Sequence, residues 1–257
     1  MSGPRRSPSP RGVGRLAAAL VLVTLLASGG CGSGSSTSSG STATTPAGFD
    51  FGANNPLLAD AFGDSITEGN GGNYPSILQS MLQGLDPNWR VNNRGLGGER
   101  VEEGAARLPG VLGADHPGFV LLMEGTNNAA VADDPAFIVA NLQQMVQTAR
   151  GNQTIPVLGT IPPNFRSFSD PAIVQGVIDE ANAMIRSMAR AERVVLAEIH
   201  DGMNDPSLFG DAEGDPLHPN AQGYAVMAGI WFDALQRALP GGPPKARRAS
   251  GQRATAR

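Results

Sequence analysis

Cysteine is almost missing from the 257-residue chain, in which Cys31 stands alone. One thiol excludes an internal disulfide and any Cys-rich metal centre. Lysine is as scarce, with Lys245 the single example, and there are three histidines, His116, His200 and His218. Residues 1–30 and 241–257 contain no Asp or Glu, so all 23 acids lie in the body between them, where they face 10 arginines. The formal charge of −4 therefore hides an acidic body with basic ends. Phosphate contacts need clustered Lys and Arg on one face, so an acidic body argues against a nucleic-acid groove. Apolar length is lacking too. The run Leu16–Ala27 (LAAALVLVTLLA) has 12 residues, whereas a membrane-spanning helix needs about 20. Scattered histidines with no cysteine in the body give no metal-ligand pattern. There is no Walker A sequence, and GLGGER (95–100) carries Arg100 where a dinucleotide loop needs its third glycine. No metal and no cofactor are expected.

What is present begins with an export signal. Arg5, Arg6, Arg11 and Arg15 precede the apolar run, and small residues and Cys31 follow it, which reads as a signal peptide over residues 1–30. The position of Cys31 resembles the lipid-attachment cysteine of bacterial lipoproteins, with Ser28 where that signal usually has Leu. The expectation is an envelope lipoprotein held on the membrane only through Cys31, with plain secretion as the alternative. Residues 31–48, rich in Ser, Thr and Gly, have no large apolar groups to offset the entropy of ordering, so they read as a disordered tether. Residues 241–257 read as a disordered basic tail. One domain over 49–240, expected to be a monomer, lies between.

Within that domain short apolar runs alternate with stretches of helical period. The runs are LLADAF (57–62), WRVN (89–92), FVLLME (119–124), IPVLG (155–159) and VVLAE (194–198). Near-continuous apolarity over so few residues predicts strands buried on both faces. Asp134 with Pro135, and Asp170 with Pro171, are helix starts in which the acid caps and proline takes the first position. After Asp170 an apolar face runs through Ile173, Val174, Val177, Ile178, Ala181, Met184, Ile185 and Met188. A last helix from about Ala221 carries Tyr224, Met227, Ile230, Trp231 and Leu235 on one face. Five strands alternating with helices predict an α/β three-layer sandwich around a parallel sheet with right-handed crossovers. Ligands bind such sheets outside the carboxyl ends of the strands, so the chemistry is sought in the loops found there.

Those loops hold GDSIT (63–67), NRGLGGE (93–99), GTNN (125–128) and GDPLHPN (214–220). A serine hydroxyl needs a base to take its proton, and histidine has a pKa near working pH. His116 precedes a strand and belongs at the opposite edge. His200, beside Asp201, is a rival base. His218 follows Asp215 by three residues, a spacing at which one turn brings the carboxylate to the imidazole. A developing oxyanion needs neutral, preorganised donors, roles that suit Gly98 and Asn127.

Together the four blocks resemble those of the SGNH, or GDSL-type, esterase and lipase family, in order and at similar separations, over roughly residues 57–235. The resemblance implies a flavodoxin-like SGNH hydrolase fold. It also implies Ser65 as nucleophile, Asp215 and His218 completing the triad, and Ser65, Gly98 and Asn127 forming the oxyanion hole. Three departures stand out: Asn128 where the third block usually ends in Asp, Pro216 where Gly is common, and the adjacent pair Gly97–Gly98. The expected reaction is hydrolysis of carboxylic esters of short to medium acyl chain through an acyl-enzyme on Ser65. Carbohydrate O-deacetylation, or lysophospholipase or thioesterase action, is the alternative, and an inactive envelope binding protein is the non-enzymatic one. Phe165 and Phe168 are candidates to wall an acyl pocket.

Overall fold

The computed structural model describes residues 48–166, 170–210 and 214–241. Its elements alternate as the apolar runs predict. They are β1 (Asn55–Gly63), α1 (Ser65–Glu68), α2 (Tyr74–Gln83), β2 (Arg90–Gly95), α3 (Val101–Asp115), β3 (Pro117–Met123), α4 (Thr126–Ala130), α5 (Pro135–Gly151), β4 (Ile155–Gly159), α6 (Pro171–Glu192), β5 (Val195–Ala197), α7 (Ile199–Gly202) and α8 (Ala221–Ala238). The five strands form one parallel sheet in the order β2-β1-β3-β4-β5. Parallel neighbours need crossovers, and the helices that make them cover both faces of the sheet.

Strand alternation divides the core into two layers. Ala59, Ala61, Phe119, Leu121 and Met123 face α2 and α8, where Tyr74 and Trp231 stack with ring centroids 5.9 Å apart. Phe62, Val120 and Leu122 face the opposite way, onto Leu108, Leu142, Ile178 and Ile185 of α3, α5 and α6. The expected three-layer sandwich is the observed one. The helix starts are also as expected: the Asp134 and Asp170 side chains accept from the backbone N–H of Ala136 and Ala172, with proline at the first helical position in each case.

Two expectations need correction. β2 is not buried on both faces; it is a polar edge strand that pairs with β1 alone. Its polar side chains have specific partners: Asn92 donates to Asp60, Arg94 to Asp115, and Asn93 to the Glu68 carbonyl. Ile173, expected on the buried face of α6, is 54% exposed, and that face begins instead at Val174 and continues through Ile178, Ala181 and Ile185. Residues 1–47 and 242–257, with Cys31 and both proposed tails, lie outside the described residues.

Candidate active site

The site is built from the turn that follows β1. Asp64 caps α1, its Oδ1 accepting from the Ile66 N–H at 2.9 Å, and so places Ser65 at the first helical position, half-buried. The preceding residue must be glycine: a Cβ on Gly63 would lie 2.3 Å from Thr67 Oγ1 and 2.4 Å from the Met123 carbonyl oxygen. The turn is therefore pressed against β3, and the Ser65 hydroxyl rises at the carboxyl edge of the sheet.

His218 comes to this point from the far end of the domain. An antiparallel bridge from Phe209 to Pro219, and a bond from the Gly210 N–H to the His218 carbonyl at 3.0 Å, tie its loop to the segment after α7. Asn220 then caps α8 and donates its amide to the Ser207 and Phe209 carbonyls. The imidazole Nε2 lies 2.9 Å from Ser65 Oγ, and Nδ1 lies 3.2 Å from Asp215 Oδ2. In the tautomer that carries its proton on Nδ1, the side Asp215 occupies, Nε2 is an acceptor to which the serine O–H donates. Pro216 does not prevent this reach. Residues 215–218 form a turn in which Asp215 Oδ1 accepts from the Leu217 N–H at 3.0 Å. Asp215 is shared, however: the Arg166 guanidinium makes a two-pronged ion pair with both of its oxygens.

Gly98 and Asn127 sit at the ends of β2 and β3, on either side of the β1 turn. Gly98 has φ +79°, with open space where a Cβ would point, whereas a Cβ on Gly97 would face Glu68 Oε2 at 2.7 Å. The left-handed backbone that glycine tolerates thus belongs to Gly98. The Asn127 amide donates to the Glu99 carbonyl at 2.8 Å, which engages one of its two N–H groups.

The GDSL-like lipase/acylhydrolase family matches residues 61–226, which span all four blocks. The chain belongs to that family. Esterase TesA of Pseudomonas aeruginosa is 32% identical over 177 residues, covering 66% of this chain and 83% of the relative. An arylesterase of Vibrio mimicus is 29% identical over 100 residues, covering 38% and 50%. The lipase/acylhydrolase structure from Enterococcus faecalis superposes with a TM-score of 0.60 at 22% identity, over 68% of this chain and 93% of that one. The protein is thus an ester-bond hydrolase with the fold of its family.

Around the GDSL-type blocks the structure places charged residues that the sequence did not single out. Glu99 and Glu124 are 4% and 1% exposed, and Asp64 is 1% exposed. Arg107 pairs with both Glu99 oxygens, lies 4.0 Å over the Phe62 ring and donates to the Arg94 carbonyl. Burial pushes the Asp64 carboxyl up to about 6. Burial, the Asp64 charge and the facing Glu99 push Glu124 well above the usual carboxylate range. In the sequence, Glu124 closes the apolar run FVLLME. An acid closing a strand whose other residues are all buried was the signal of its burial.

Asn128, which replaces the family's acid, is fully buried and donates to Glu102 and Asp133, both at 2.9 Å, while its Oδ1 accepts from the Val101 N–H. The charge missing at this position is carried by two neighbours. Among the remaining candidates, His116 lies at the amino edge, exposed, as the left-handed cap of α3. His200 on α7 is 3.1 Å from Asp201 and 3.2 Å from the Gln175 amide, whereas the imidazole that meets Ser65 is that of His218. It lines a groove of about 540 Å³ with Asn164, Phe165, Arg166, Gln175 and Asn204. Phe165 packs edge-on against Phe209, centroids 5.0 Å apart, and Phe168 lies outside the described residues. Among those residues there is no cluster of metal-binding side chains.

Proposed function

We propose that the protein is a serine esterase that forms an acyl-enzyme on Ser65. The observation that carries this reading is the 2.9 Å approach of His218 Nε2 to Ser65 Oγ, with Asp215 on the other ring nitrogen. Ser65 Oγ attacks the ester carbonyl as its proton passes to Nε2, and Asp215 stabilises the imidazolium. The oxyanion is held by the N–H groups of Ser65 and Gly98 and the Asn127 amide, neutral dipoles in place before charge develops. Collapse expels the alcohol with the proton from His218. Water, deprotonated by the same nitrogen, then attacks the acyl-enzyme and releases the acid and Ser65.

The preferred substrates are uncharged, soluble esters of short to medium acyl chain. An acidic body repels anionic lipid surfaces, and likeness to an arylesterase supports small esters. Acetylated carbohydrate is the second reading, favoured by the hydrogen-bonding side chains of the groove beside Arg166. Nitrophenyl esters of increasing chain length, run beside acetylated xylan and a lysophospholipid, separate these. Highest kcat/KM on long chains or on the lysophospholipid would overturn the short-chain reading. Acetate release from xylan alone would assign a carbohydrate deacetylase.

The enzyme is proposed to work at the cell envelope, lipidated on Cys31 after cleavage at Gly30. Intact-mass measurement of the native protein checks this, and an unmodified mature chain that starts elsewhere refutes it.

A further inference from the structure

Glu99 occupies an unusual junction. It follows Gly98 directly, and its carbonyl accepts the Asn127 amide at 2.8 Å, so the two proposed oxyanion donors that lie outside the nucleophile turn are both referenced to one residue. Its side chain is held by Arg107 on one side and faces the Glu124 carboxyl on the other, where both Glu124 oxygens are buried and meet no hydrogen-bond donor. Two carboxylates cannot share a hydrogen bond unless one keeps its proton. Glu99 has Arg107 to neutralise it; Glu124, buried at the end of β3, faces acids on two sides. The fold also leaves room for it: a Cβ on Gly104 of α3 would stand 3.1 Å from Glu124 Oε1.

We propose that Glu124 is a positioning residue for ester hydrolysis: as a neutral acid it donates a hydrogen bond to the Glu99 carboxylate and so fixes the Gly98 and Asn127 donors. The inference rests on the assignment of those two residues to the oxyanion hole. The groups facing Glu124 are Asp64 at the cap of α1, Glu99 in the β2–α3 loop, Arg107 on α3 and the Tyr74 hydroxyl on α2. All but Arg107 are acids, so ionising Glu124 sets it against Glu99 and loosens the hole. Burial and the neighbouring acids raise the Glu124 carboxyl, so the native state holds a proton that the unfolded chain releases. The stability contributed by that proton is complete below the ordinary carboxylate range and is lost as pH rises through the folded value.

The test uses the full-length protein and a soluble aryl ester. Glu124→Ala is expected to lower kcat about tenfold with KM changed less than about threefold, as small misplacements of reacting groups do. Glu124→Gln, whose amide keeps the donor, recovers most of that loss. In unfolding measured between about pH 5 and pH 8, the stability of Glu124→Gln relative to wild type rises with pH. An unchanged kcat in Glu124→Ala, no recovery in Glu124→Gln, or a stability difference flat with pH overturns the proposal. Glu124→Met, which fills the same space, replaces the alanine variant if that does not fold. Asn127→Ala run alongside separates two failures. Unchanged kcat there removes the hole assignment itself, whereas a loss there with Glu124→Ala unaffected removes only the role of Glu124.

Discussion

His218 and Ser65, 153 residues apart in the chain, stand with Nε2 and Oγ 2.9 Å apart. The contact is possible because each residue is fixed next to a helix start, Ser65 by the Asp64 cap of α1 and His218 two residues ahead of the Asn220 cap of α8. The caps of the two helices, together with the Phe209–Pro219 bridge that ties the His218 loop, set the distance across which the proton moves.

Removing either partner is expected to abolish turnover. Ser65→Ala and His218→Ala lose about 10⁴-fold or more in kcat on an aryl ester, and Asp215→Ala loses less, because in triads the acid acts only through the histidine. Steady-state kinetics on folded variants check the order. Wild-type turnover in Ser65→Ala would end the mechanism, and full loss in His200→Ala with His218→Ala unaffected would move the base to His200.

Asn127→Ala is expected to cost about 10²–10³ in kcat, with a smaller change in KM, because an oxyanion donor acts in the transition state rather than on bound substrate. A change confined to KM would make Asn127 a substrate-binding residue instead.

Restoring the family's acid by Asn128→Asp is expected to damage this protein. The Asn128 amide donates to Glu102 and Asp133, and a carboxylate there would lose both bonds and add a like charge in a fully buried position. The expected loss is roughly 2–4 kcal/mol, read by denaturant unfolding. Stability equal to wild type would show that the two acids do not depend on the amide.

Asp60 lies buried in β1, and burial, with Asp115 beside it, pushes its carboxyl from 3.8 up to about 7. The folded protein therefore keeps a proton that the unfolded chain gives up. Asp60 contributes stability that is complete below about pH 4 and is lost as pH rises to about 7. Asp60→Asn mimics the protonated acid and still accepts from Asn92. Its melting temperature should gain on wild type across that window and hold the gain above it. A constant difference from acid to neutral pH would show that Asp60 does not titrate there.

Much of the architecture was legible because its determinants are local. Apolar runs of four to six residues predicted the five strands, and Asp–Pro pairs marked the starts of α5 and α6, since a cap acts within one turn. The four loop blocks and their order pointed to the family. Sequence alone also singled out His218 over His200, through its three-residue spacing from Asp215. Tertiary structure decided the rest. It made β2 a polar edge strand, brought Arg166 onto Asp215, gave Asn128 two acids as partners and buried Glu124 between Asp64 and Glu99. None of these follows from spacing, because a carboxyl's proton affinity and an amide's partners depend on burial and on groups delivered by other elements. Local chemistry wrote the elements and the blocks, and only packing fixed the charge state beneath the site.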